Sequence, residues 1–139
     1  MKIAVVTDDS QTISQHFGRA RHYIVVTIED GQVTSQETRE KAGHHQFQLE
    51  HDHDHHSHNQ HHGQQHGHGF DPAAQSRHTR MITTIADCDV LLARGMGGGI
   101  YQDLQQAGIR PILTTVADID EAINLYLGGR LEDHPERLH

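Results

Sequence analysis

The stretch that most constrains the fold runs from residue 87 to residue 107, where a strand, a glycine-rich turn and a helix follow one another. The short, unbroken apolar run Val90–Ala93 is typical of a strand covered on both faces. Ile100, Leu104 and Ala107 then recur at helical spacing. The turn between strand and helix contains four glycines, which allow a sharp bend and a close approach by a ligand: Gly95, Gly97, Gly98 and Gly99. In open α/β sheets, ligands bind at such loops, at the carboxyl ends of strands.

The remaining apolar segments predict that this unit belongs to a mixed sheet. Strands are predicted at residues 3–7, 23–28, 33–38 and 111–115, and Asp30-Gly31 is the signature of a two-residue hairpin loop. Helices are predicted from Pro72 and from Asp118, which has Glu121 three residues on, as in a capping box. Strand–helix–strand crossovers make the strands of residues 3–7, 90–93 and 111–115 parallel neighbours, and the hairpin extends the same sheet. The expected fold class is therefore α/β, a three-layer domain with about five strands.

A low-complexity segment rich in histidine interrupts this pattern. From residue 41 to residue 69 only Phe47 and Leu49 are expected to reach a core, and we predict a disordered loop at about residues 42–70. Neutral imidazole is a good ligand for Zn, Ni, Cu and Co, so the segment predicts binding of several divalent transition metal ions. Two alternatives remain open: an inert linker, and a pH sensor. The candidate metal ligands are its eleven histidines: His44, His45, His51, His53, His55, His56, His58, His61, His62, His66 and His68.

Length, charge and cysteine content narrow the class of protein. The 139 residues suffice for one domain, so residues 1–139 are predicted to form a single domain that carries the insert. The formal net charge of −8, with histidines neutral, disfavours nucleic acid and anionic lipid as partners. The single Cys88 excludes an internal disulfide, suggests a reducing compartment and is predicted to be a packed thiol. No apolar segment is long enough for a signal peptide or a membrane span, so we expect a cytoplasmic protein.

The predicted sheet brings two loops to one end. If the first strand and the strand Val90–Ala93 are neighbours, the loop with His16 and Arg19 lies beside the glycine loop with Arg94 and Met96, and these side chains can surround one crevice. An isolated histidine is more often structural, and Met96 is also a good core residue. His78 fits the apolar face of its helix, although its position near the histidine-rich segment also permits a ligand role.

The glycine loop leaves the type of ligand open. It lacks the Gly-Lys-Ser/Thr of a P-loop, and Ile100 interrupts a dinucleotide fingerprint. Backbone N–H groups at a helix N-terminus still bind anions. Both a nucleotide or other phosphate compound at residues 95–99 and an anionic metal–sulfur cluster are compatible with this loop.

Four segments together resemble the dinitrogenase iron–molybdenum cofactor biosynthesis family: M-K-I-A-V-V-T-D-D at the start, H-F-G-R-A from His16, C-D-V-L-L-A-R-G-M-G-G-G-I-Y from Cys88, and D-I-D-E-A-I-N-L-Y-L-G-G-R-L from Asp118. The resemblance implies a ribonuclease-H-like fold without nuclease activity, and non-catalytic binding of metal–sulfur clusters or their precursors. It further implies an accessory protein that carries metal to a recipient or cluster-assembly protein, with the oligomeric state left open. The resemblance and the crevice argument together give the candidate cofactor-binding residues His16, Arg19, Arg94, Gly95, Met96 and Gly97.

Overall fold

Five strands form one mixed sheet in the part of the chain that the computed structural model describes, residues 1–41 and 72–139. The strands are β1 (Lys2–Thr7), β2 (His22–Glu29), β3 (Gln32–Glu40), β4 (Val90–Ala93) and β5 (Arg110–Leu113), in the sheet order β3-β2-β1-β4-β5. The helices are α1 (Pro72–Thr83), α2 (Gly98–Gln106) and α3 (Ile119–Leu127), with 3-10 turns at Phe17–Arg19 and Pro135–Arg137. β1 pairs parallel with β4, and β4 with β5, while β2 is antiparallel to both β1 and β3. The predicted strand neighbours and the position of the hairpin at one side of the sheet are confirmed.

Helices cover both faces of the sheet, because side chains alternate along each strand. Ala4 and Val6 of β1 face a core shared with α1 and α2, whereas Ile3 and Val5 face a core shared with α3. The fold is therefore a three-layer α/β arrangement, as predicted. The ribonuclease-H-like label stays a prediction. None of the helices in residues 1–41 and 72–139 has the length and apolar character needed to cross a membrane.

Local signals in the sequence specify the turns and caps. Asp30 and Gly31 both have positive φ angles (54° and 77°), as the two-residue hairpin loop between β2 and β3 requires. The Asp118 carboxylate accepts a hydrogen bond of 2.9 Å from the backbone N–H of Glu121 and caps α3. Gly108 follows α2 with a φ of 84°, a conformation that favours glycine.

The prediction that only Phe47 and Leu49 of residues 41–69 reach a core is wrong, because Lys41 is buried. Its side chain is 1% exposed, and its backbone N–H donates to the carbonyl of Arg21, which anchors the end of β3. A lysine can be buried in this way because its aliphatic stem packs like an apolar side chain. The predicted loop at residues 42–70, with Phe47, Leu49 and the eleven histidines, lies outside the described residues.

Candidate functional site

The loop after β1 and the glycine loop after β4 lie side by side at one end of the sheet. The Phe17 N–H donates to the carbonyl of Gly95 at 3.1 Å, and the Arg94 N–H donates to the carbonyl of Ser14 at 3.0 Å. These two hydrogen bonds fix the Phe17–Arg19 turn against the start of the glycine loop. The predicted meeting of the two loops at the carboxyl ends of β1 and β4 is thus confirmed.

A crevice of about 450 Å³ opens beside these loops. It is lined by Phe17 and Gly18 of the 3-10 turn, by His78 and Met81 of α1, by residues 97–100 and Gln102, and by His139. This volume falls in the range of about 300–1,000 Å³ that is usual for small-molecule sites. The crevice is therefore large enough for a ligand of several heavy atoms.

Backbone forms one wall of the crevice. Gly97 is the N-cap of α2, with φ −80° and ψ 159°, and the first turn of α2 contains no acidic residue. The first N–H groups of a helix have no partner within the helix and carry partial positive charge. A Cβ atom added at Gly97 or Gly98 would meet no atom within 4 Å, so both residues face open space. This wall suits an anion that approaches the backbone closely.

A buried cation lies behind the opposite wall. The Lys41 Nζ is 3.0 Å from the Sδ of Met81 and 4.9 Å from the centroid of the Phe17 ring, and both of these side chains line the crevice. Burial lowers the pKa of Lys41 to about 8, and the carboxylate of Asp8 opposes this shift. Because the amine is still largely protonated at pH 7, it adds positive potential to the crevice.

The last residues of the chain hold a second imidazole at the crevice. The His139 ring stacks on the ring of His16, with a centroid separation of 6.0 Å and an interplanar angle of 18°. The His139 N–H donates to the carbonyl of Met96 at 3.0 Å, and the Arg137 Nε donates to the carbonyl of Arg94 at 2.6 Å. Sequence reasoning missed His139, since nothing in the polar tail indicates that it packs against the glycine loop.

His78 of α1 lines the crevice and pairs with a carboxylate on α2. Its Nδ1 is 2.7 Å from the Oδ2 of Asp103, and the two side chains are 14% and 18% exposed. The sequence left His78 open between a core residue and a ligand. It gave no signal for Asp103, because the pair forms only when the two helices pack together.

The predicted cofactor-binding residues occupy different places around this site. Gly97 lines the crevice, and His16 lies next to it through its stack on His139. Met96 is 1% exposed and belongs to the core shared with α1 and α2. The remaining three are Gly95, which is buried, Arg94, whose buried Nε has no hydrogen-bond partner among the described residues, and Arg19, which is exposed.

Within residues 1–41 and 72–139, no three His, Cys, Asp or Glu side chains are close enough to form a metal site by themselves. The predicted packing of Cys88 is confirmed, since it is 4% exposed, and burial raises the pKa of its thiol to about 12. The eleven histidines predicted as metal ligands lie outside the described residues.

The fold and the crevice define a small three-layer α/β protein with an open, glycine-walled crevice at the carboxyl ends of its parallel strands. Comparison with known families identifies it further. The sequence model of the family described as "Dinitrogenase iron-molybdenum cofactor" matches residues 1–129. The chain belongs to this family, which links it to an iron–molybdenum cofactor. The tail that carries His139 lies beyond the matched residues.

Individual proteins are similar to the chain in sequence or in fold. The chain is 28% identical over 134 residues to the uncharacterised protein MJ0580 of Methanocaldococcus jannaschii, covering 95% of this chain and 90% of that protein. The apo form of the orange protein from Desulfovibrio gigas has a similar fold, with a TM-score of 0.65, 19% identity, and coverage of 96% and 92% of the two chains. A second similar structure, PH0822, gives a TM-score of 0.60 at 21% identity, with coverage of 98% and 96%.

Proposed function

We propose that this protein is a non-catalytic accessory protein that binds a metal–sulfur cluster of the iron–molybdenum type in the crevice. It carries the cluster in the cytoplasm and releases it to a recipient or cluster-assembly protein. The observation that carries the proposal is the crevice itself. Glycine backbone and a helix N-terminus form one wall, imidazoles stand at its edge, and a buried lysine lies behind Phe17 and Met81.

The chemistry of the donors fits such a cargo. A metal–sulfur cluster brings its own sulfide ligands and needs few ligands from the protein, in contrast to a bare ion, which needs about four. The described residues offer separate imidazoles rather than a group of three or more ligands. Helix N–H groups and the Lys41 ammonium favour an anion.

A charge placed on the glycine wall tests this proposal. Gly97→Asp should weaken binding of iron–molybdenum cofactor extracted from dinitrogenase by roughly tenfold or more, because like charges about 4 Å apart repel by about 1–4 kcal/mol. The neutral control Gly97→Ala adds only a Cβ, which meets no protein atom within 4 Å, so it should weaken binding less than Gly97→Asp does. Aspartate is a favourable N-cap, so the first variant should remain folded. Binding is measured by molybdenum retained per chain after gel filtration, and equal retention by both variants would contradict the proposal.

The histidine-rich segment is proposed to capture divalent transition metal ions and supply them to the same protein. Replacing its eleven histidines by glutamine in the full chain should remove most of the Zn²⁺, Ni²⁺, Cu²⁺ or Co²⁺ that the protein binds, because imidazole is the favoured ligand of these ions. Elemental analysis of untagged protein, purified without a nickel column, measures the ions bound. If the substituted chain binds as many ions as the native chain, the segment has another role.

A phosphate ligand is the second candidate, because a helix N-terminus at a glycine loop also binds phosphate. Thermal-shift measurements with ATP, ADP and inorganic phosphate distinguish the two ligands. Stabilisation by a nucleotide that Gly97→Asp abolishes, without any retention of the cofactor, would favour the phosphate ligand. A pH-sensing role for the histidine-rich segment predicts instead a change of oligomer size between about pH 5 and 8 without metal.

A further inference from the structure

We propose that His78 is a ligand of the cargo metal and that Asp103 is the residue that positions it. The inference rests on the proposed function, since it concerns the same crevice. It goes further by assigning a protein ligand on α1, outside both loops that carry the residues predicted from the sequence. The observations that support it are the position of His78, the hydrogen bond it makes, and the burial of the pair.

His78 is held at the crevice by two packed helices. It lines the crevice from α1, whereas Asp103 lies on α2, 25 residues further along the chain. The Nδ1–Oδ2 distance is 2.7 Å, in the range of a charge-assisted hydrogen bond. With side-chain exposures of only 14% and 18%, the pair is mostly withdrawn from solvent, so the ring is fixed rather than free to rotate.

This hydrogen bond decides which nitrogen of His78 can bind a metal. A carboxylate can only accept, so Nδ1 must carry the proton that it donates to Asp103. In the neutral ring Nε2 then holds the free lone pair. Among the described residues, Nε2 has no hydrogen-bond partner. Histidines that bind metals show this arrangement, with one nitrogen on the metal and the other donating to a carboxylate.

His134 provides a matched control. Its Nδ1 is 2.9 Å from the Oε2 of Glu136, but Glu136 is 69% exposed, and His134 does not line the crevice. The tail thus contains a second histidine that is paired with a carboxylate through Nδ1, although its Nε2 also lies 3.5 Å from the Oε1 of Glu132. A general effect of losing such a pair should appear at both histidines, whereas metal ligation should appear only at His78.

The experiment measures binding of extracted iron–molybdenum cofactor to the full chain with its eleven segment histidines replaced by glutamine. His78→Asn is the test variant, because its amide nitrogen can take the place of Nδ1 and still donate to Asp103 while Nε2 is lost. His78→Asn and Asp103→Asn should each weaken binding by about 10–100-fold, the usual effect of disturbing a metal ligand or its carboxylate partner. His134→Asn should leave binding unchanged. Chemical denaturation of each variant checks that it is folded.

A spectroscopic measurement on the unmodified chain does not depend on any variant folding. With ¹⁵N-labelled histidine, the Nε2 resonance of His78 should shift or broaden when the cofactor is added, while that of His134 should not. In cofactor-free Asp103→Asn, the His78 tautomer should no longer be fixed, which the ¹⁵N shifts of both ring nitrogens report.

The outcomes separate this inference from the proposed function. If the cofactor binds but His78→Asn binds it equally well and the His78 resonance is unperturbed, the pair only ties α1 to α2 and the inference is wrong. If the unmodified chain does not bind the cofactor, the proposed function itself fails. Weaker binding by His78→Asn together with a perturbed Nε2 resonance supports both.

Discussion

Gly95→Ala should destabilise the protein by about 3 kcal/mol, the cost of forcing an atom into a well-packed interior. A Cβ atom at this position would lie 2.5 Å from the backbone carbonyl oxygen of Gln15 and 3.2 Å from the Cε1 of His139. The carbonyl cannot move away easily, because the adjacent hydrogen bonds Arg94 N–H to Ser14 and Phe17 N–H to Gly95 hold the two loops together. The free energy of unfolding, from urea or guanidinium titration, measures the effect.

Gly97→Ala is the matched control, two residues further along the same loop. Its φ of −80° is accessible to any residue and its Cβ would meet no atom within 4 Å, so the free energy of unfolding should fall by no more than about 1 kcal/mol, the cost of alanine at an N-cap. We further expect Gly95→Ala to weaken cofactor binding, because relief of the contact displaces the turn with His16 and the ring of His139. Equal stability of the two variants would show that the loops are not packed as described.

Lys41→Met should stabilise the protein at pH 7 by about 2–3 kcal/mol, the second large effect. The reason is that burial lowers the pKa of Lys41 from 10.5 to about 8, so folding disfavours the charged amine. Methionine fills a similar volume without a charge. The contact of the ammonium with the Phe17 ring recovers part of the cost in the native protein, so the pH dependence is a sharper test than the absolute difference.

The sign of the pH dependence follows from the two states of Lys41. Between about pH 8 and 10.5 the unfolded chain holds the proton and the folded chain does not, so the Lys41 contribution to stability rises with pH by about 1.4 kcal/mol per unit. The gain in stability from Lys41→Met should therefore be largest below pH 8 and become smaller above it. Burial raises the pKa values of Cys88 and Tyr23, so these two groups lower the stability as the pH rises above about 9. Both the native chain and Lys41→Met contain them, so the difference in stability between the two chains reports on Lys41 alone.

A control lysine separates burial from charge. Lys2 is partly exposed and paired with Asp87, so Lys2→Met should cost at most about 1 kcal/mol. The difference in the free energy of unfolding between Lys41→Met and the native chain could instead be constant from pH 7 to pH 10. In that case Lys41 is not desolvated and does not place a buried charge behind the crevice.

The layout of the sheet was readable because it depends on local patterns. The apolar run of β4, the Asp30-Gly31 turn and the Asp118 cap each determine the backbone within a few residues. Strand–helix–strand crossovers then make β1, β4 and β5 parallel neighbours. The same reasoning placed the loop with His16 beside the glycine loop.

The side chains around the crevice could not be predicted from the sequence to the same degree. Lys41 begins a segment of polar composition, and composition does not show that this one lysine side chain packs against Phe17 and Met81. The sequence pattern around His78 fits both a core residue and a ligand. The ligand roles of His16, Arg19 and the glycine loop, and of the eleven segment histidines, remain predictions.

By itself the sequence determined the strands, the glycine turn, the helix caps and the end of the sheet at which the crevice forms, because hydrogen bonding and side-chain alternation act over a few residues. Only the tertiary structure decided which side chains surround the crevice. His139 reaches His16 across more than one hundred residues, and Asp103 reaches His78 from a different helix. Such contacts depend on how whole elements pack, and no short pattern in a single sequence encodes them.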